Sequence, residues 1–394
     1  MTVADNDASH AGQAAPDLLI AGAGVAGLWL AVKAARAGLS VTLVERGNPG
    51  GGASGGFLGA LMPHSPERWN GKKDFQFRAL VDLEAEIQQL ESETGEYCAY
   101  RRVGRILPLI SERGRLTAMD RVADARANWG PRFGYEVHHT PARSDWPNIL
   151  RAPHGIVHET LSARVSPPGL LAALLHSLAL KPNFDLRLGT SVVDIEPQTK
   201  LATLSDGSRL GFGYAALANG VDAFPHIARL TGLPIQAMGS GVKGQAALLD
   251  AKAPPDLPLV YDDGVYVIAH ENGHVAVGST SENTFDDPAD TDDKLDEILK
   301  RARKLCPLIK EATVIRRWAG VRPRAVGRDP MLGPIPGAPG VLAMAGGFKI
   351  SFGIAHRMAD CLVAGITGEA APETPQRFSV AYHMAKAAKA QTLQ

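Results

Sequence analysis

The sequence predicts an α/β protein of two domains, one built on a parallel sheet between helices and the other, α+β in character, on a mixed sheet. Three observations carry that prediction. A short apolar run at 17–21 passes through a glycine-rich turn into a helix-favouring stretch and a second strand ending at Glu45. Segments of similar character return near 165–220 and at the end of the chain, whereas 99–160 and 233–320 hold mostly short strands and loops. A length of 394 residues exceeds one ordinary domain and allows two sizeable cores.

The first unit is Asp17-Leu-Leu-Ile-Ala21, then Gly22-Ala-Gly24-Val-Ala-Gly27, a helix over Leu28–Ala37 and a strand over Leu39–Val44. An unbroken apolar run suits a strand buried on both faces. Gly22 permits the tight turn, Gly24 lets the backbone approach a pyrophosphate, and Gly27 lets the helix pack close on the strand. The orphan N–H groups and dipole at the helix start attract the pyrophosphate charge. Glu45 can accept hydrogen bonds from an adenosine ribose and repels a 2′-phosphate. Strand, turn, helix and acid together predict a site for the ADP half of a dinucleotide.

Gly239-Ser-Gly241-Val-Lys-Gly244 repeats the glycine spacing without that context. Leu233-Pro-Ile-Gln-Ala-Met precedes it, Pro254-Pro255 soon follows, and no second strand ends in an acid at the expected distance. It reads as a glycine-rich turn entering a strand. One dinucleotide site argues against a reductase that also docks NAD(P)H in its own βαβ unit.

Farther along, Asn48–Pro63 is too rich in glycine for a core element. Phe57, Leu58, Leu61 and Met62 suggest a loop folded over a ligand, and Ser54 reads as an N-cap or a phosphate contact. Helices are expected at about 73–95, 167–180, 291–305 and 351–366. Strands are expected at 185–188, 192–195 and 214–218, the last ending in Asn219-Gly220. The expected division is 17–90, 150–225 and 320–394 for a Rossmann-like domain, and 91–149 and 226–319 for a substrate domain.

Composition narrows the function. Lys+Arg and Asp+Glu are both 41, so there is no net field to draw nucleic acid or an anionic membrane. No stretch approaches the roughly eighteen consecutive apolar residues of a membrane span. Cys98, Cys306 and Cys361 lie far apart without a CxxC, which favours free thiols in a reducing compartment over disulfides or a metal site. Residues 1–16 are small and polar, with no signal-peptide pattern, and read as a flexible tail. The expected location is cytoplasmic.

In order along the chain, the motifs DLLIAGAGVAGLWLAVKAARAGLSVTLVER, GASGGFLGALMP, YAALANG, VKGQ, VAVGSTSE, WAGVRPR and GGFKISFG resemble the D-amino-acid-oxidase-like flavoprotein family. That family includes glycine oxidase, sarcosine oxidase and the oxidase half of the bifunctional tRNA-modifying enzyme MnmC. The similarity runs from about 17 to 366. It implies an FAD-binding Rossmann-like domain in three chain segments, and a substrate domain whose sheet covers the flavin. By resemblance, Gly22, Gly24, Gly27, Glu45 and Arg46 hold the ADP moiety, and Ser54, Gly59, Ala60 and Leu61 line the pyrophosphate and flavin. Val192 meets the adenine through its backbone, and Gly346, Gly347, Phe348 and Lys349 lie near the isoalloxazine. The helix after Lys349 aims its positive end at the flavin.

The resemblance also implies the chemistry. Arg322 stands where the family arginine grips the substrate carboxylate, Lys349 matches the sarcosine-oxidase lysine that meets it, and Tyr266 matches a carboxylate-binding tyrosine of glycine oxidase. The implied reaction is oxidation of a carbon–nitrogen bond in an amino acid or carboxylate-bearing amine, with O₂ or another electron acceptor. Two departures matter. Gly346 replaces the histidine that precedes GFK in sarcosine oxidases, which weakens the case for N-methylglycine as substrate. No cysteine lies near 318–325, which favours noncovalent FAD. His64 follows the glycine-rich loop and could face the flavin or serve the fold. Two rival readings are an MnmC-like tRNA-modifying oxidase, which the balanced charge disfavours, and an FAD-binding subunit without turnover, which Arg322 and Lys349 disfavour.

Overall fold

The computed structural model describes residues 15–392, so the tail expected at 1–16 lies almost wholly outside the described residues. Six strands form a first sheet in the order Met331–Pro334, Val341–Ala345, Tyr214–Leu217, Leu18–Ala21, Val41–Glu45, Phe184–Leu188. All neighbours are parallel except the first pair. Leu18 and Ile20 enter one hydrophobic core and Leu19 and Ala21 the other, so every position of that strand is apolar. On one face pack the helices Val25–Arg36, Gly71–Thr94, Pro167–Ala179 and Ser351–Thr367. A three-stranded antiparallel sheet over 192–211 and the helices Ala223–Thr231 and Val380–Thr392 cover the other.

The helix ends follow local chemistry. Asn70 accepts from the N–H groups of Lys72 and Lys73 at the start of Gly71–Thr94, and Gly95 closes that helix at φ +70°. Ser166 caps Pro167–Ala179, whose first turn tolerates proline because those N–H groups have no helical partner.

Eight strands form the second sheet, in the order Thr313–Ala325, Gly239–Asp250, His274–Gly278, Val265–Ala269, Leu259–Asp262, Arg105–Pro108, Ile156–Glu159, Tyr135–His138. Leu259–Asp262 and Arg105–Pro108 run parallel, and the other pairs are antiparallel. One face buries Val260, Val265, Val267, Val275 and Val277 against Leu295, Leu299 and Ala302 of the helix Asp293–Leu305. On the opposite face, Leu259, Ile268 and Ala276 pack against Phe57 and Leu58 of the glycine-rich loop. That face roofs the loop.

The structure departs from the expected elements in three places. An 18-residue helix, Glu112–Trp129, occupies part of the stretch expected as strands and loops. It buries only Ala118, Ala125 and Trp129, too thin an apolar stripe to show as a period in sequence. Ile156–Glu159 and the whole of Thr313–Ala325 run in the second sheet, past the boundaries expected at 150 and 320. Gly239 to Gly244 is strand throughout, with no turn inside it.

Candidate active site

A cleft of 1340 Å³ lies between the glycine-rich turn, the loop after Glu45, the second sheet and the segment 344–353. At its first end the backbone is shaped for close approach. Gly22 has φ +97°, and a Cβ there would lie 2.6 Å from Asn219 Cα. A Cβ on Gly27 would lie 1.9 Å from the Gly22 carbonyl oxygen, so only glycine lets this helix sit on its strand. Ser54 Oγ accepts from the Val25 N–H at 3.0 Å, in the first turn of that helix, from a position in the cleft wall. Glu45 accepts from the Ala23 N–H at 2.8 Å with one oxygen and from the Gly47 N–H at 3.0 Å with the other. Each carboxylate oxygen has a second lone pair free for a ribose hydroxyl. Arg46 pairs with Asp222 at 2.8 Å at the cleft mouth.

The residues present fit a dinucleotide. Asn219 Oδ1 is buried beside the turn with no hydrogen-bond partner among the described residues, a polar atom awaiting a donor. Val192, at the head of its strand, closes the same end. Farther in come Gly59, Ala60 and Leu61. Gly59 has φ +61°, and any Cβ there would meet the Val165 carbonyl oxygen at 1.8 Å. A Cβ on Gly56 would press on the Trp318 indole at 3.1 Å, and one on Gly55 would meet the Gly50 carbonyl oxygen at 2.9 Å, so side chains are crowded out at both positions.

The second end of the cleft is cationic. Arg322 is only 8% exposed, and its Nη1 donates to the Thr280 carbonyl at 3.2 Å. No carboxylate lies within ion-pair distance of it among the described residues. Burial lowers its pKa, but a guanidinium stays charged at any ordinary pH. Lys349 is open to the cleft yet crowded by protein. Burial, then Arg322 and Arg328, pull its pKa down to about 8. Its Nζ stands 5.7 Å from the Tyr266 ring centroid and 5.8 Å from that of Phe348. Phe348 holds a left-handed φ of +49°, a strained backbone of the kind that clusters at functional sites. Tyr266 packs against Tyr261 with ring centroids 4.8 Å apart and planes tilted by 57°, and burial pushes its pKa up to about 12, so its phenol remains a donor. The helix Ser351–Thr367 starts at the cleft wall.

The structure thus brings almost every sequence-predicted site residue to one cleft. Gly27 lies beneath the wall and acts through packing. His64 lines the cleft with its backbone N–H and ring Nδ1 both on Gln76 Oε1, which makes Nε2 the lone-pair nitrogen. Burial lowers its pKa, so the ring is neutral near pH 7. Sequence reasoning missed Tyr261, Arg105 and the importance of Gly244. A Cβ on Gly244 would stand 1.8 Å from Arg322 Nη2, so this glycine opens the slot in which the guanidinium lies. Gly244 carried a visible signal, the second glycine repeat, whereas Arg105 sat among other arginines with none. None of the three cysteines lines the cleft.

Comparison with known proteins agrees with this geometry. The family model for the DAO group, FAD dependent oxidoreductase, matches residues 17–361. Glycine oxidase of Pseudomonas aeruginosa is 28% identical over 348 residues, covering 84% of this chain and 89% of that protein. The crystal structure of glycine oxidase from Geobacillus kaustophilus superposes with a TM-score of 0.81 at 22% identity, over 93% of this chain and 98% of the other. Iminodiacetate oxidase from Chelativorans sp. BNC1 does so with a TM-score of 0.79 at 24% identity, over 92% and 98%. At those identities the two structures speak for the shared fold. No helix among the described residues is long and apolar enough to cross a membrane. With one nucleotide cradle, a roofed cleft and a family match along most of its length, the chain belongs to the DAO family of FAD-dependent oxidoreductases.

Proposed function

We propose that this enzyme oxidises the carbon–nitrogen bond of an amino acid or secondary amine that bears a carboxylate. One observation carries the reading. Arg322 and Lys349 enter the cleft wall as cations without a carboxylate partner among the described residues, and Tyr266 stands beside Lys349. A buried cation such as Arg322 is costly unless something pairs with it, and a substrate carboxylate supplies that pair. Arg322 grips it through its free guanidinium edge, Lys349 adds a second charge, and the Tyr266 phenol donates a hydrogen bond.

Held there, the substrate is fixed in one orientation within the cleft, while the second sheet roofs the site. Residues 22–27, Glu45 and the loop that follows would hold FAD, which would supply the acceptor for the α-hydride. The substrate nitrogen loses a proton, and water then splits the imine into a carbonyl compound and an amine. An amine that binds neutral needs no dedicated base, which fits a neutral His64 tied to Gln76; the acids lining the cleft among the described residues, Glu45 and Asp222, lie at its nucleotide end. No cysteine lines the cleft, so FAD would be held noncovalently, with O₂ or another acceptor taking the electrons. Glycine oxidase and iminodiacetate oxidase, the names of the relatives, belong to this substrate class.

The test is anaerobic bleaching of the flavin by glycine, N-methylglycine, iminodiacetate and the D- and L-amino acids. At least one member should bleach it. Arg322→Ala should slow that reaction by about a hundredfold while FAD stays bound. An unchanged rate in Arg322→Ala sinks the carboxylate clamp. Release of all the flavin on denaturation checks the noncovalent link.

A further inference from the structure

Apart from Gly244, the motifs VKGQ at 242–245 and VAVGSTSE at 275–282 have no task in the reaction proposed above. The structure brings both against Arg322, which belongs to a third motif, WAGVRPR at 318–324. Arg322 lies level with Val242 on the neighbouring strand, and its guanidinium lies over Gly244, two residues on and so on the same face. That slot confines the group without choosing which edge it shows to the cleft. The choice falls to the one hydrogen bond of the side chain among the described residues, from Nη1 to the Thr280 carbonyl at 3.2 Å.

The Thr280 carbonyl is itself held. Thr280 Oγ accepts from the Gln245 N–H at 2.9 Å and donates to Glu282 Oε1 at 2.5 Å. Gln245 Nε2 donates to the same carboxylate oxygen at 2.9 Å and to Asp292 at 2.7 Å, while its Oε1 accepts from the Asp292 N–H at 2.8 Å. Lys294 Nζ donates to the other oxygen of Glu282 at 2.7 Å, and the backbones of Lys243 and Glu282 exchange two hydrogen bonds of 3.0 Å. Burial disfavours an ionised Glu282, but the bonds from Lys294, Thr280 and Gln245 keep its pKa below the usual carboxylate value. Gln245, Thr280 and Glu282 are all buried, and none of them lines the cleft. Such a network rigidifies what it touches. Its contact with the site runs through Thr280 to Arg322.

We propose that Thr280 is a positioning residue for the reaction: its hydroxyl, clamped between the Gln245 N–H and Glu282, aims its carbonyl so that Arg322 turns the open edge of its guanidinium to the substrate carboxylate. This rests on the reading of Arg322 as the carboxylate's anchor. An arginine stem is long and flexible, whereas paired bonds to a carboxylate demand one plane and one edge. A guanidinium turned away from that plane still carries its charge but loses the fork, and the substrate loses its orientation.

The experiment uses the FAD-loaded enzyme, with acetate as a non-reacting carboxylate read by perturbation of the flavin absorbance, and kcat/KM for the best substrate. Thr280→Val keeps the shape of the side chain and removes the hydroxyl. It should retain FAD, weaken acetate by about tenfold and lower kcat/KM by about tenfold or more. Thr280→Ser should restore most of both. The deciding protein combines Thr280→Val with Arg322→Ala. If Thr280 acts through Arg322, its substitution should change kcat/KM by less than about twofold once Arg322 is gone. Wild-type acetate binding in Thr280→Val, no rescue by serine, or an equal loss with and without Arg322 overturns the inference. Should Thr280→Val not fold, because the Gln245 N–H is left buried and unpaired, Thr280→Ala replaces it in the same comparison, with room for a water at that N–H. Acetate weakened by Arg322→Ala but not by the Thr280 variant leaves the proposed function standing and removes only this inference. Acetate binding that ignores Arg322→Ala removes both.

Discussion

The chain contains the same glycine spacing twice, and the two copies do unrelated work. At 22–27 the glycines make a turn, and the backbone itself is what they bring close: a Cβ at Gly27 would strike the Gly22 carbonyl. At 239–244 the glycines sit in a straight strand and leave room for side chains. A Cβ on Gly239 would strike the Phe224 ring, on Gly241 it would strike Val321, and on Gly244 the Arg322 guanidinium. The first copy builds a cradle for a cofactor, and the second hollows out a slot for a cation. Identical patterns mean different things because a glycine reports only missing volume, and the neighbours decide what fills it.

The largest expected effect breaks the first copy. Gly27→Val should give protein without bound flavin, read from its absorbance, because the clash is backbone against backbone and nothing can rotate away. Gly244→Ala should separate the two copies most clearly. Flavin content should match wild type, while kcat/KM for the best substrate falls by about a hundredfold, the scale of losing a charged hydrogen-bonded contact. Loss of flavin in Gly244→Ala would mean that the second copy serves the cradle as well.

Lys349 gives a pH-dependent effect at the same end of the cleft. Its pKa near 8 means that the ammonium is present below pH 8 and is lost above it. Carboxylate affinity should therefore fall as pH rises through about 8, and Lys349→Met should flatten that limb. The smallest effect belongs to the first end. Arg46 and Asp222 form an exposed pair, so Arg46→Ala should weaken FAD by less than about fivefold by equilibrium titration.

The nucleotide half was legible because its determinants are local. Strand 18–21, the turn and Glu45 lie within one short stretch, and period, glycine spacing and a terminal acid all point to one unit. Arg322, Lys349 and Tyr266 were found only by resemblance to a family, since nothing in their own neighbourhoods distinguishes them from other cations or a core tyrosine. Arg105 escaped both routes. Its place in the cleft wall depends on an ion pair with Glu159, far along the chain, and on a sheet register that sets it level with Leu259. The helix Glu112–Trp129 escaped because most of its surface faces water.

By itself the sequence determined that this protein has one dinucleotide cradle, where it lies, and that helices cover a parallel sheet. Those features follow from short-range sterics and from burial on both faces of a strand. Tertiary structure alone decided which cations share a cleft, and that the second glycine repeat houses one of them. It also set the tyrosine pair between Arg105 and Arg322. These depend on pairing across an eight-stranded sheet, where the register of each strand is chosen by all its neighbours at once.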